Sequence, residues 1–231
     1  MNEMKNTEKN GRKLLTAGIV LLALFAAWTA VILTVDVRPV GAAGTRIGLA
    51  ALNTRFHELI GVHERFYTLT DWLGLVPILV CMIFFVIGLA QLIGRRRFFL
   101  VDCDLWILGV YYLLVIAAYL IFERLPINYR PILIEGRLET SYPSSTTLLV
   151  LSVMPTLCFE AHRRLPSPAL RGLIDLFSAG FSLFMVIGRT VSGVHWLSDI
   201  IGSVFLSAGL FLLYRGCVTF ADGKTKRKER S

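Results

Sequence analysis

Charge is scarce in this sequence. Only 17% of its 231 residues are Asp, Glu, Lys or Arg, against about 25% in a typical soluble domain. Lys is missing altogether between Lys13 and Lys224. Cysteine is sparse too: Cys81, Cys103, Cys158 and Cys217 stand singly with no C-x-x-C pair, which leaves no disulfide framework and no Cys-based metal site. Low-complexity and collagen-like periods are absent. The net charge of +8 comes without Zn-finger spacing or aromatic-basic interleaving, so no nucleic-acid partner is expected. What the chain has in plenty is apolar side chains, 55% of the total. That excludes a disordered chain and disfavours an ordinary soluble globule. The composition reads as one integral membrane domain over residues 1–231.

About 20 uncharged residues cross a bilayer as a helix, because the hydrocarbon core is about 30 Å thick and each residue rises 1.5 Å. Residues 14–35 and 72–93 are uncharged runs of 22, and 105–122 is one of 18. Three further segments are shorter or less pure: 146–159, 170–187 and 196–214, the last two carrying Asp175 and Asp199. The first run exceeds a signal-peptide core of roughly 7–15 residues and reads as a retained span. The expected fold is therefore an all-α integral membrane bundle of six transmembrane helices.

Basic residues orient it. Six spans put 1–13, 94–104, 160–171 and 215–231 on one side, with 16 Lys and Arg; the other side, 36–71, 123–147 and 188–199, has 8 and no Lys. The expectation is a multi-pass cell-membrane protein with both termini cytoplasmic, 1–13 and 216–231 forming basic tails. In the outward segment 45–63, Leu49, Leu52, Phe56, Leu59 and Ile60 recur at helical spacing. That pattern fits an amphipathic helix in the interface between spans one and two, and equally a segment packed over the bundle.

The outward segments hold a concentrated polar set beside hydrocarbon, where ionisable groups are costly and mark function. Residues 188–199 contain Arg189, His195 and Asp199 as Arg-x5-His-x3-Asp. If a helix starts near His195, the i, i+4 spacing puts Asp199 on the imidazole's face. A carboxylate on one ring nitrogen would fix the tautomer and leave the other as a nucleophile. Arg189 offers a planar fork of donors for phosphate oxygens. The same pattern also fits a membrane-edge His–Asp pair with a snorkelling Arg. A second cluster, Pro143-Ser144-Ser145-Thr146, precedes an apolar run and reads as a helix start, whose free N–H groups bind anions. A third is Arg124 with Arg130-Pro131, which alone would suit lipid headgroups or water. With the orientation above, all three converge on one phosphate at headgroup depth.

These residues resemble the motifs of the type 2 phosphatidic acid phosphatase (PAP2) superfamily of membrane lipid phosphatases: Lys-x6-Arg-Pro, Pro-Ser-Gly-His and Ser-Arg-x5-His-x3-Asp on six helices. The third motif matches at Arg189, His195 and Asp199, with Gly188 at the usual Ser. Arg130-Pro131 matches the end of the first, where the expected Lys is Glu123 unless Arg124 substitutes. Pro143-Ser144-Ser145 matches the second, with Thr146 in place of the His that serves the family as general acid.

The resemblance implies a metal-independent hydrolase without cofactor. His195 would form a phosphohistidine with Asp199 in support, and Arg130, Arg189, Ser144, Ser145 and Thr146 would bind the substrate phosphate. The expected partners are a lipid phosphate or polyprenyl diphosphate and membrane lipids. No Asp/Glu cluster is apparent in the outward segments to hold a metal. Losing a general acid costs about 10²–10⁴-fold; a diphosphate suffers less, because a leaving phosphate with a second pKa of about 6 departs without a proton. His57 and His63 also face outward as possible proton sources. The alternative is a catalytically impaired relative that binds lipid phosphates. A small transporter is a further reading of six spans, but no paired broken helices support it.

Overall fold

The computed structural model describes residues 2–228, without the side chains of 2–5, 99 and 225–228. Lys5, Lys226 and Lys228 of the basic tails therefore lie outside the described side chains. Eight α-helices follow one another: α1 Asn2–Thr34, α2 Ala50–Ile60, α3 Glu64–Leu73, α4 Leu75–Arg95, α5 Cys103–Arg124, α6 Ser145–Arg164, α7 Pro168–Val191 and α8 Leu197–Lys228. Among the described residues only isolated antiparallel bridges occur, as at Tyr129–Thr140 and Ile134–Arg137. The all-helical membrane fold expected from composition is present. Five stretches are long and apolar enough to cross a membrane: 6–34, 64–95, 103–124, 168–191 and 197–224.

The sixth long helix, α6, is less apolar because it is the bundle's centre. Thr147, Ser152, Thr156 and Glu160 on it are all fully buried. The neighbouring α5 supplies two partners: the Tyr111 hydroxyl donates to the Ser152 backbone carbonyl at 2.8 Å, and the Tyr112 hydroxyl pairs with Thr156 Oγ1 at 2.7 Å. The buried Ser152 Oγ meets no hydrogen-bond partner among the described residues. At the end of the bundle away from residues 141–147, Tyr214 bonds Glu160, and Arg163 and Arg164 clamp Asp104 at 3.0 and 2.9 Å. A lipid-facing helix could not carry these groups.

α1 and α8 run against each other along most of their length. Gly11 and Gly18 on α1 face a stripe on α8 in which Gly209, Gly216 and Gly223 recur every seven residues. A Cβ on Gly18 would lie 3.0 Å from the Gly209 carbonyl oxygen, and one on Gly209 would lie 2.8 Å from Leu22 Cδ2. Small residues let the backbones approach, which is how helices associate where lipid offers no hydrophobic drive.

The expected amphipathic stretch 45–63 is helical over the shorter range of α2. Leu52 and Leu59 on it are exposed, 47% and 82%, while Asn53 is buried and donates to the Gly48 carbonyl at 2.8 Å and to Ser198 Oγ at 2.9 Å. One face of α2 thus packs over the start of α8, and the other is apolar and open. Segments 36–71, 123–147 and 188–199 all gather at this end of the bundle.

Candidate active site

α7 ends where its chain must turn sharply back into α8. Ser192 caps it, its N–H donating to the Gly188 carbonyl at 2.8 Å. Gly193 follows at φ +70°, and a Cβ there would also sit 2.1 Å from the Gly61 carbonyl oxygen, so only glycine suits the turn. α8 then opens with Asp199 in its first turn. Asp199 is fully buried, and its Oδ2 accepts the Trp196 backbone N–H at 3.0 Å, a carboxylate reaching back over the helix start. Its Oδ1 accepts Asn128 Nδ2 at 3.1 Å. Trp196 Nε1 donates to the Tyr129 carbonyl at 2.7 Å, tying the turn to the α5–α6 connection.

His195 sits inside this frame, 5% exposed. Its Nδ1 meets the Ser141 carbonyl oxygen at 3.1 Å, while Asp199 Oδ2 is 3.8 Å away. The carbonyl can only accept, so Nδ1 carries the proton and Nε2 keeps its lone pair. The partner of Nδ1 is thus a backbone carbonyl rather than the carboxylate expected from sequence. Burial, and then the positive charges of Arg130 and Arg189, hold the imidazole well below its ordinary pKa; the Ser141 carbonyl opposes them. The ring is therefore neutral at neutral pH.

Two guanidinium groups flank that nitrogen. Arg189 is 1% exposed; its Nη2 lies 3.4 Å from His195 Nε2 and its Nη1 donates to Thr70 Oγ1 at 3.3 Å. Arg130 is 8% exposed, with Nε 3.0 Å from Glu139 Oε2, and its buried Nη1 meets no hydrogen-bond partner among the described residues. Both cations lie over the Tyr67 ring, with Cζ 5.1 Å (Arg189) and 5.9 Å (Arg130) from its centroid. His195, Arg130 and Tyr67 line a cavity of about 540 Å³, together with Asp71, Glu139 and Ser145. An anion there would relieve the repulsion between like charges and supply the missing acceptor for Arg130.

The sequence candidates divide. Arg130, Ser145 and His195 stand on the cavity wall, and Arg189 joins them through His195. Asp199 stands behind the histidine. Ser144 and Thr146 are not on the wall. Ser144 is buried, its Oγ donating to Thr147 Oγ1 at 3.0 Å rather than capping α6, and Thr146 Cγ2 lies near Gly74, at the α3–α4 junction. The first N–H groups of α6 remain the free donors that a helix start provides. Glu123 reaches the wall and Arg124 does not, so Arg124 does not fill the missing Lys position. His57 packs against Trp196 with ring centroids 5.5 Å apart and the rings tilted by 59°, His63 Nε2 bonds the Ile60 carbonyl at 2.9 Å, and neither lines the cavity.

Three things escaped the sequence. Tyr67, Thr70 and Asp71 come from α3, which carries no motif. Ser141 acts through its backbone. The outward carboxylates, scattered along the chain, meet here: Asp71, Glu123 and Glu139 share the wall. Two of them face arginines, Glu139 with Arg130 at 3.0 Å and Asp71 with Arg189 at 3.8 Å. No group of three His, Cys, Asp or Glu suited to a metal ion occurs among the described residues.

Fold and site together define a multi-pass helical membrane protein with a basic, histidine-bearing pocket at one end. Residues 124–222, from the end of α5 through most of α8, match the PAP2 superfamily model, so the resemblance carried by the motifs is borne out. In fold the chain is similar to the first transmembrane PAP2 type phosphatidylglycerolphosphate phosphatase from Bacillus subtilis, known from a crystal structure, with a TM-score of 0.58 over 87% of this chain and 95% of that one. The two are 15% identical, a likeness of fold. No curated protein matches by sequence.

Proposed function

We propose that this chain is a membrane lipid phosphatase that removes phosphate from a lipid phosphate or polyprenyl diphosphate through a phosphohistidine on His195. The carrying observation is His195 on the wall of a cavity shared with Arg130, its Nε2 3.4 Å from Arg189 Nη2. Phosphoryl transfer needs chiefly positioning and charge stabilisation. Arg130, Arg189 and the α6 N-terminus would hold the phosphoryl oxygens, with the developing charge met by the guanidinium groups rather than by a metal. Nε2 attacks phosphorus in line, the leaving group departs, and the ring becomes cationic beside Asp199. Water then releases phosphate. The segments around the cavity are the ones poorer in Lys and Arg, 8 against 16 on the other side, which supports an outward-facing site and cytoplasmic termini.

A second reading, a lipid-phosphate binder with impaired turnover, draws on Thr146, which replaces the family's acid and stands off the cavity wall. One experiment separates them. Purified protein is pulsed with a ³²P-labelled lipid phosphate or diphosphate and quenched. A phosphatase yields an acid-labile, base-stable label on His195; binding without label or phosphate release supports the second reading and overturns the first.

A further inference from the structure

α3 carries a second reactive group to the cavity. Asp71 Oδ1 lies 3.8 Å from Arg189 Nη1, and the other terminal nitrogen of the same guanidinium faces His195 Nε2 at 3.4 Å. Tyr67, one turn earlier on α3, lies under both arginines, which fixes the face that α3 presents to the site. The Asp71 side chain is 63% exposed and lines the cavity, so it meets both the phosphoryl site and water.

We propose that Asp71 is a catalytic residue of the reaction proposed above: the general base for hydrolysis of the phosphohistidine. The inference rests on that reading. In this step a water oxygen forms its bond to phosphorus while the P–Nε2 bond breaks. The bonding pair returns to Nε2 and restores the neutral imidazole. The proton lost by the water passes to the Asp71 carboxylate, inorganic phosphate leaves, and Asp71 releases the proton to solvent.

The other titratable groups at this end are engaged or misplaced. Both Asp199 oxygens accept N–H groups behind the histidine. Glu139 is held by Arg130 at 3.0 Å, and Glu123 belongs to the wall formed by the end of α5. His57 and His63 are off the wall, and the Thr146 hydroxyl is a very poor base. Asp71 is the wall carboxylate paired with the guanidinium that also faces the nucleophile.

The test is rapid-quench labelling of full-length wild type, Asp71→Asn and Asp71→Glu with a prenyl diphosphate carrying ³²P in its terminal phosphate. A diphosphate needs no proton for its leaving phosphate, which isolates the hydrolytic step. In Asp71→Asn, steady-state phosphate release is expected to fall by about 10²–10⁴-fold, the usual worth of a general base. Its first-turnover labelling of His195 should stay close to the wild-type rate, and the label should accumulate. Asp71→Glu should recover part of the hydrolysis. Wild-type release by Asp71→Asn, or loss of labelling together with release, overturns the assignment of Asp71 while the phosphatase reading stands. Absence of both label and release in wild type overturns the two together.

Discussion

Arg189 Nη2 and His195 Nε2 lie 3.4 Å apart, both buried, one on the last turn of α7 and the other in the turn before α8. A protonated imidazole would not tolerate two guanidinium groups at this depth. The relationship therefore selects the neutral ring, with its lone pair toward the basic pocket. The predictions below follow from it.

The first concerns pH. A histidine with an ordinary pKa near 6.5 would lose its nucleophilic form as pH falls through that value. Here burial and two cations depress the pKa of His195, so the neutral form persists to lower pH. The acid limb of kcat/KM is expected well below pH 6.5. The same depression means the unfolded chain binds more protons below pH 6.5 than the folded one, so His195 contributes a loss of stability as pH falls through that value. A kinetic profile and melting curves in detergent from pH 4 to 8 check both.

Asp199 is 3.8 Å from Nδ1 but does not hold its proton, which goes to the Ser141 carbonyl. Asp199→Asn is thus expected to keep the tautomer, lose the charge that steadies the cationic phosphohistidine, and turn its amide NH2 against one of the two donors the carboxylate now accepts, Asn128 Nδ2 or the Trp196 N–H. At an effective dielectric of 20 the charge interaction is worth about 4 kcal/mol, or at most about 10³-fold in kcat. Single-turnover kinetics of the variant measure it.

Gly188 stands where the family motif has Ser, and packing explains the departure: a Cβ there would lie 2.7 Å from Thr70 Cγ2. Thr70 is the hydroxyl that accepts from Arg189. Gly188→Ser should displace Thr70, cost about 1–3 kcal/mol as overpacking does, and raise KM more than it lowers kcat. Gly188→Ser combined with Thr70→Ala should recover the stability without the affinity.

Thr146 leaves the leaving-group side of the cavity without the family's acid. A lipid diphosphate is expected to turn over faster than the matching monophosphate by about 10²–10⁴-fold. Because the side chain at 146 lies off the wall, near Gly74, Thr146→His should leave most of that gap in place. Initial rates on the two substrates, with wild type and variant side by side, decide it.

Much of the fold was readable because lipid imposes a simple rule: a helix facing hydrocarbon must be apolar along about 20 residues. Residues 14–35, 72–93 and 105–122 obey it. α6 obeys it least, since Thr156 and Glu160 pair with Tyr112 and Tyr214 on neighbouring helices, and that is invisible before the bundle is assembled. The seven-residue glycine stripe of α8 has no meaning in the sequence alone, because glycine spacing says nothing until a partner helix is known.

The site was legible where the chain is local. Arg189, His195 and Asp199 fall within eleven residues, so one turn and one helix start suffice to bring them together. Asn128 and Tyr67 reach the same place from far along the chain, and the Ser141 carbonyl could come from any residue type. Asp71 belongs to no motif and stands at the edge of the uncharged run 72–93. Of the second motif only Pro143 and Ser145 stand on the wall; Ser144 is turned to Thr147, and helical rotation carries the Thr146 side chain toward Gly74.

The most direct test of the account is phosphate release from lipid monophosphates and diphosphates by purified wild-type protein and by His195→Ala in the same detergent. The account predicts release by wild type and none above background by the variant, with the variant's fold intact by melting. Equal residual release by both proteins would contradict His195 as the nucleophile.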